Sequence, residues 1–153
     1  MHHPTVTWLL ASLVTKLLVR ARVRDESGVL RQSNAPAVVV CNHRSWIDPM
    51  VIISACGPRR PVVFLAAREH VLRRHFIHRL LAWSGAVILV DRTSARQRDV
   101  LRAAEAVVAA GGTLALFPEG KINDGSTGEA VLPLEPGAAV IARRSDAPIL
   151  PLA

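Results

Sequence analysis

Five short apolar runs punctuate the chain, at 37–41, 61–67, 85–90, 113–117 and 149–152. Each is too short for a typical helix and reads as a strand with little water on either face. Between them the apolar spacing shifts to the helix period. The clearest helix is predicted over 94–110, where Val100, Leu101, Ala104, Val107 and Val108 form one stripe. Ser94 and Gln97 make a capping-box pattern there, and Gly111 supplies the stop. A second helix is predicted near 48–56, with Asp48 as N-cap, Pro49 in the first turn and Gly57-Pro58 as terminator. A short third falls near 136–145. Residues 69–83 predict a basic amphipathic helix: Val71, Leu72, Phe76, Leu80 and Trp83 cluster, with Arg73, Arg74, His78 and Arg79 interleaved. Val19, Ala21 and Val23 alternate with Arg20, Arg22 and Arg24, the period of a strand with one wet face. Residues 28–36 read as a turn region. Strands alternating with helices mean an α/β fold with a mainly parallel sheet flanked by helices. Without repeat, low-complexity segment or linker, residues 1–153 read as a single domain with room for a sizeable core.

The stretch 6–19 is apolar (Trp8, Leu9, Leu10, Leu13, Val14, Leu17, Leu18) but interrupted by Lys16. A membrane-spanning helix needs ~20 apolar residues, so residues 1–18 are expected to form an interfacial or packed helix. They lack the basic start and small-residue cleavage site of a secretory signal. Half of the residues are hydrophobic and the net charge is +7, carried by 17 Arg and 2 Lys. A GC-rich genome alone produces that arginine preference, so only the sign of the charge is informative. A basic, apolar domain suits an anionic membrane surface or anionic substrates. Nucleic acid is disfavoured as a partner, because no Tyr and only three Phe leave little for base stacking. Cys41 and Cys56, with no Cys-x-x-Cys pair, read as buried free thiols in a reducing compartment. The expected location is peripheral, on the cytoplasmic face of the cell membrane.

Candidate chemistry begins where the first apolar run ends, in Asn42-His43-Arg44-Ser45-Trp46-Ile47-Asp48-Pro49. A histidine at a strand end, with a carboxylate five residues on across a tight turn, can form a base and its orienter. The carboxylate holds one imidazole tautomer, and the other ring nitrogen can take a proton from a hydroxyl. The bland reading is a helix-capping Asp48 and a loop His43. Cys41 nearby is a conceivable thiol nucleophile, but a strand-end core position explains it better. Three further segments bear on the choice. Gly85-Ala86-Val87-Ile88-Leu89-Val90-Asp91-Arg92 brings an arginine out of a strand, where it can grip a phosphate with two parallel hydrogen bonds. Phe117-Pro118-Glu119-Gly120 puts a carboxylate and backbone N–H groups at the carboxyl edge of the next strand, where open α/β sheets bind ligands. Ala147-Pro148-Ile149-Leu150-Pro151-Leu152 reads, in isolation, as an edge or terminal strand.

In this order and spacing the four blocks resemble the glycerolipid acyltransferase family typified by 1-acyl-glycerol-3-phosphate (lysophosphatidate) acyltransferase. The resemblance runs from about Val38 to Leu152. It implies that His43 deprotonates the acceptor hydroxyl and Asp48 orients it. It further implies that Arg92, Glu119 and Gly120 bind the phosphate-bearing part of a lysolipid acceptor, and that Pro151 helps shape the acyl-donor side. The donor would be an acyl-CoA or acyl-carrier-protein thioester used as co-substrate, with no cofactor, no metal and no covalent enzyme intermediate. A thioester is already activated, so positioning and removal of one proton suffice. Accordingly, no Gly-x-Ser-x-Gly occurs. The third block departs from the family's frequent Thr-Arg-Ser continuation: here Lys121-Ile122-Asn123-Asp124-Gly125 follows. Lys121 could supply the missing positive charge as a less selective point charge. This continuation is closer to a branch that includes lyso-ornithine-lipid acyltransferases, which stands as an alternative acceptor class beside 1-acyl-glycerol-3-phosphate, whose acylation gives phosphatidate. The sequence also stops just after the fourth block, the pattern expected of a C-terminal truncation or a minimal version.

Three rival readings compete. His75 and His78, with Glu69 and His70 nearby, have metal-site spacing but not the zincin order, and a basic helix face explains them more simply. Gly120-Lys121 echoes a phosphate loop but lacks the required Ser or Thr and the upstream glycine. A non-catalytic membrane-surface module, resting on 6–18 and 69–83, is the remaining contender.

Overall fold

Strand β1 (Ala37–Cys41) has neighbours on both sides, so its alternate side chains enter two separate cores. The structure, a computed structural model, describes residues 13, 24–25, 28, 30, 35–57, 60–67, 87–90 and 97–153. After β1 come α1 (Asp48–Cys56), β2 (Val62–Ala67), β3 (Val87–Val90), α2 (Gln97–Ala109), β4 (Thr113–Leu116), α3 (Gly137–Arg144) and β5 (Ile149–Leu152). The strands form one sheet in the order β3-β2-β4-β1-β5, and every pairing is parallel. The expected α/β fold with a parallel sheet flanked by helices is the one observed.

On one face Val39 of β1, Phe64 of β2 and Ala115 of β4 pack with Met50, Ile52, Ile53 and Cys56 of α1. On the other, Val38, Leu114 and Leu116 meet Ala104 and Val108 of α2 and Ala138, Ile141 and Ala142 of α3. This is why β1 and β4, at the centre of the sheet, are apolar at nearly every position: they have no wet face for an alternating pattern to report. α2 ends where its stripe ends. Gly111 sits at φ 84°, donating to Val108 O at 2.9 Å, while the Gly112 N–H reaches Val107 O at 2.9 Å. That paired closure requires the left-handed conformation glycine takes without strain. β5 is an edge strand bonded to β1 alone, with Pro151 opposite Val40. An edge is where a proline costs the sheet least.

Two local expectations change. Leu30, inside the predicted turn region, has helical backbone and is buried against the α1 core. Asp48 is not the cap of α1: Ile47 holds that position, and no side chain caps the helix. The N-terminal helix apart from Leu13, the alternating strand at 19–23, the basic helix at 69–83, Ser94 and Arg92 lie outside the described residues. Among the described residues no helix is long and apolar enough to cross a membrane.

Candidate active site

In a parallel sheet all strands end on the same edge, so the loops leaving β1 and β4, which are neighbours, must meet there. His43 stands two residues past β1. Its ring Nδ1 lies 3.0 Å from Asp48 Oδ2, with the two side chains 17% and 19% exposed. The same oxygen accepts the backbone N–H groups of Arg44 and Ser45, each at 2.7 Å. The carboxylate thus faces back into the loop instead of along α1. Burial would raise the Asp48 carboxyl, but the His43 hydrogen bond, the Ser45 and Arg44 N–H groups and the imidazole's charge together hold it below the ordinary value of 3.8. An ionised carboxylate only accepts hydrogen bonds, so the proton between the two side chains belongs to Nδ1. In the neutral ring, Nε2 is therefore the nitrogen with a lone pair to offer.

The remaining anchors of His43 come from the segment after β4. Phe117 stacks on the imidazole with centroids 4.0 Å apart and planes 15° from parallel. The His43 N–H donates to Glu119 Oε1 at 2.8 Å, and its carbonyl accepts the Asn123 N–H at 2.6 Å. Glu119 and Asn123 are both buried, 6% and 3% exposed. The other Glu119 oxygen accepts Leu132 N–H at 2.9 Å. The Asn123 side chain donates to Glu129 O (3.0 Å) and Ala130 O (3.3 Å) and accepts from Gly125 N–H (3.0 Å). Arg44 reaches across to Ala130 O at 3.4 Å.

Most of the residues singled out in the sequence lie among the described ones. His43 and Asp48 form the expected couple. Glu119 is beside them, buried, with one oxygen accepting the His43 N–H and the other the Leu132 N–H. Gly120 lies at φ 67° and donates its N–H to Phe117 O at 3.0 Å, so that amide closes the turn instead of facing outward. Lys121 is exposed on the same loop. Pro151 stands in β5, at the register position next to Val40. Arg92 lies outside the described residues. Burial, then the nearby charges of Asp48 and Glu119, pushes the Cys41 thiol up to about 11, which removes it as a nucleophile. Sequence reasoning missed Phe117 and Asn123. The signal for Asn123 was present in Asn123-Asp124-Gly125, an Asx-turn pattern in which the asparagine oxygen binds the amide two residues on. Among the described residues no cluster of three potential metal ligands occurs; Glu69, His70, His75 and His78 lie outside them.

A parallel sheet with a histidine–carboxylate couple at its carboxyl edge defines an α/β protein equipped for proton abstraction. Residues 20–153 match the Acyltransferase family model, and the chain belongs to that family. It is 33% identical over 122 residues to a probable 1-acyl-sn-glycerol-3-phosphate acyltransferase of Mycoplasma genitalium, covering 76% of this chain and 43% of that protein. A probable 1-acyl-sn-glycerol-3-phosphate acyltransferase of Mycoplasma pneumoniae is 29% identical over 132 residues, covering 81% and 47% respectively. The chain thus spans a little under half the length of these relatives. The crystal structure of the 1-acyl-sn-glycerophosphate (LPA) acyltransferase PlsC from Thermotoga maritima matches 97% of this chain and 74% of its own, with a TM-score of 0.58 and 19% identity. That likeness is one of fold.

Proposed function

We propose that the protein is an O-acyltransferase that moves a fatty acyl group from an acyl-CoA or acyl-carrier-protein thioester to the free hydroxyl of 1-acyl-glycerol-3-phosphate, giving phosphatidate. The observation that carries this reading is the ring of His43, held by Asp48 at 3.0 Å with Nε2 as its proton-accepting nitrogen. Nε2 takes the hydroxyl proton as the alcohol oxygen attacks the thioester carbonyl carbon. The carbon–sulfur bond then breaks, and the imidazolium returns the proton to the departing thiolate. One ester forms, one thioester is consumed, and the histidine ends as it began. Asp48 stabilises the transient imidazolium, which its low proton affinity allows it to do without being protonated itself. The family resemblance assigns Arg92 to the acceptor phosphate, the exposed Lys121 offers a cation on the loop after β4, and the net charge of +7 suits a peripheral site on an anionic membrane.

The test is thiol release by the purified protein from acyl-CoA and from acyl-carrier protein, each with lysophosphatidate or lyso-ornithine lipid. Free thiol should appear only when an acceptor is present, most with lysophosphatidate. His43→Ala should lower turnover by ~10²–10⁴, the contribution of a positioned base. Wild-type turnover in His43→Ala would overturn the proposal.

A further inference from the structure

We infer that Glu119 and Asn123 are positioning residues for the base and do not bind the acceptor; this rests on the acyltransferase reading. A histidine two residues beyond a strand has no sheet hydrogen bonds to fix it, and Asp48 controls only its ring. What fixes the peptide is the loop after β4. Glu119 takes the His43 N–H at 2.8 Å, and the Asn123 N–H holds the His43 carbonyl at 2.6 Å. The His43 peptide groups are thereby gripped from both ends. The grip is itself braced. The second Glu119 oxygen is bound to Leu132 N–H, and the Asn123 amide ties 125, 129 and 130 together. The loop cannot shift without breaking buried hydrogen bonds to a charged or amide group, each costly to leave unmade. A carboxylate is also the wrong charge for a phosphate, and this one is buried, each oxygen turned to a backbone N–H.

Replacing Glu119 by Gln keeps one acceptor oxygen and turns the other into a donor, so either His43 N–H or Leu132 N–H meets an N–H group. Asn123→Asp keeps the bond from Gly125 and loses both donated bonds. In both variants kcat should fall by roughly 10- to 100-fold, the scale of a base displaced by about an ångström, with acceptor KM unchanged. A headgroup ligand would do the reverse. Ile141→Ala, in the far core layer, lowers stability without touching the loop and should leave kcat unaltered below its unfolding transition.

An activity-independent measurement separates this inference from the acyltransferase reading. In Glu119→Gln the His43 or Leu132 amide should exchange hydrogen faster than in the wild type, and the imidazole nitrogen resonances should show a weakened preference for the Nδ1–H tautomer. Raised acceptor KM with intact kcat, or unchanged exchange and tautomer, overturns the positioning role. Unchanged turnover in His43→Ala, with the exchange and tautomer effects present, would instead reject the acyltransferase reading and leave the clamp standing.

Discussion

The two loops that meet at His43 achieve order by opposite routes. Residues 42–48 close on themselves: one Asp48 oxygen gathers the imidazole and two backbone N–H groups within five residues of chain. Residues 117–132 hold instead to something distant, since Glu119 and His43 are 76 positions apart in sequence. The first loop aims a side chain, and the second immobilises the peptide that bears it. Neither alone defines a base, because a well-aimed ring on a mobile peptide is as ineffective as a fixed peptide with a rotating ring.

Breaking the local loop should have the largest consequence. Asp48→Asn removes the charge that favours the Nδ1–H tautomer and stabilises the imidazolium, and kcat should fall by at least about 10²-fold, within the range a positioned base contributes. The same variant has a stability signature. The Asp48 carboxyl titrates lower in the folded chain than in the unfolded one, so its stabilisation is complete above the unfolded value, ~3.9, and is lost as pH falls through the folded value. Thermal unfolding at descending pH should therefore be flatter in Asp48→Asn than in the wild type below about pH 4. An equally steep acid limb in the variant would show that the carboxylate is not held as described.

A smaller effect should come from the distant side. Phe117→Leu keeps apolar volume but loses the stacked plane beneath the imidazole, worth about 0.5–1.5 kcal/mol beyond burial. Its melting temperature should drop and kcat should fall less than in Asp48→Asn, because the carboxylate still selects the tautomer. The smallest effect belongs to Cys41. With its thiol pushed up to about 11, it should resist alkylation near neutral pH, and Cys41→Ala should retain wild-type kcat. Loss of activity on substitution, or rapid modification at neutral pH, would mean that the thiol takes part.

The same contrast explains what could be read from the sequence. The central strands were legible because a strand covered on both faces requires a continuous apolar run, and α2 because its stripe and its Gly111 stop agree. His43 and Asp48 were legible because their interaction is contained in one turn. Glu119 was found, but its hydrogen-bond partners were not. Family spacing marks it as important, yet nothing in Phe-Pro-Glu-Gly says that its oxygens meet the amides of residues 43 and 132. Phe117 was read as the last residue of a strand, which it nearly is; its stacking on His43 depends on β1 and β4 being neighbours, a fact of sheet order and not of spacing. The error over Asp48 has the same origin in reverse. An aspartate before a helix is ordinarily its cap, and here the preceding loop claims the oxygen first.

The position of β4 between β1 and β2 also governs when the centre can come into being. As the chain emerges from the ribosome, β1 and β2 appear before the strand that separates them, so the sheet cannot close in the order of synthesis. Nascent chains that end before about residue 132 carry the histidine and its aspartate but lack the strap that seats them. The couple is therefore seated only once β4 and the loop that follows it have been made and have inserted between β1 and β2.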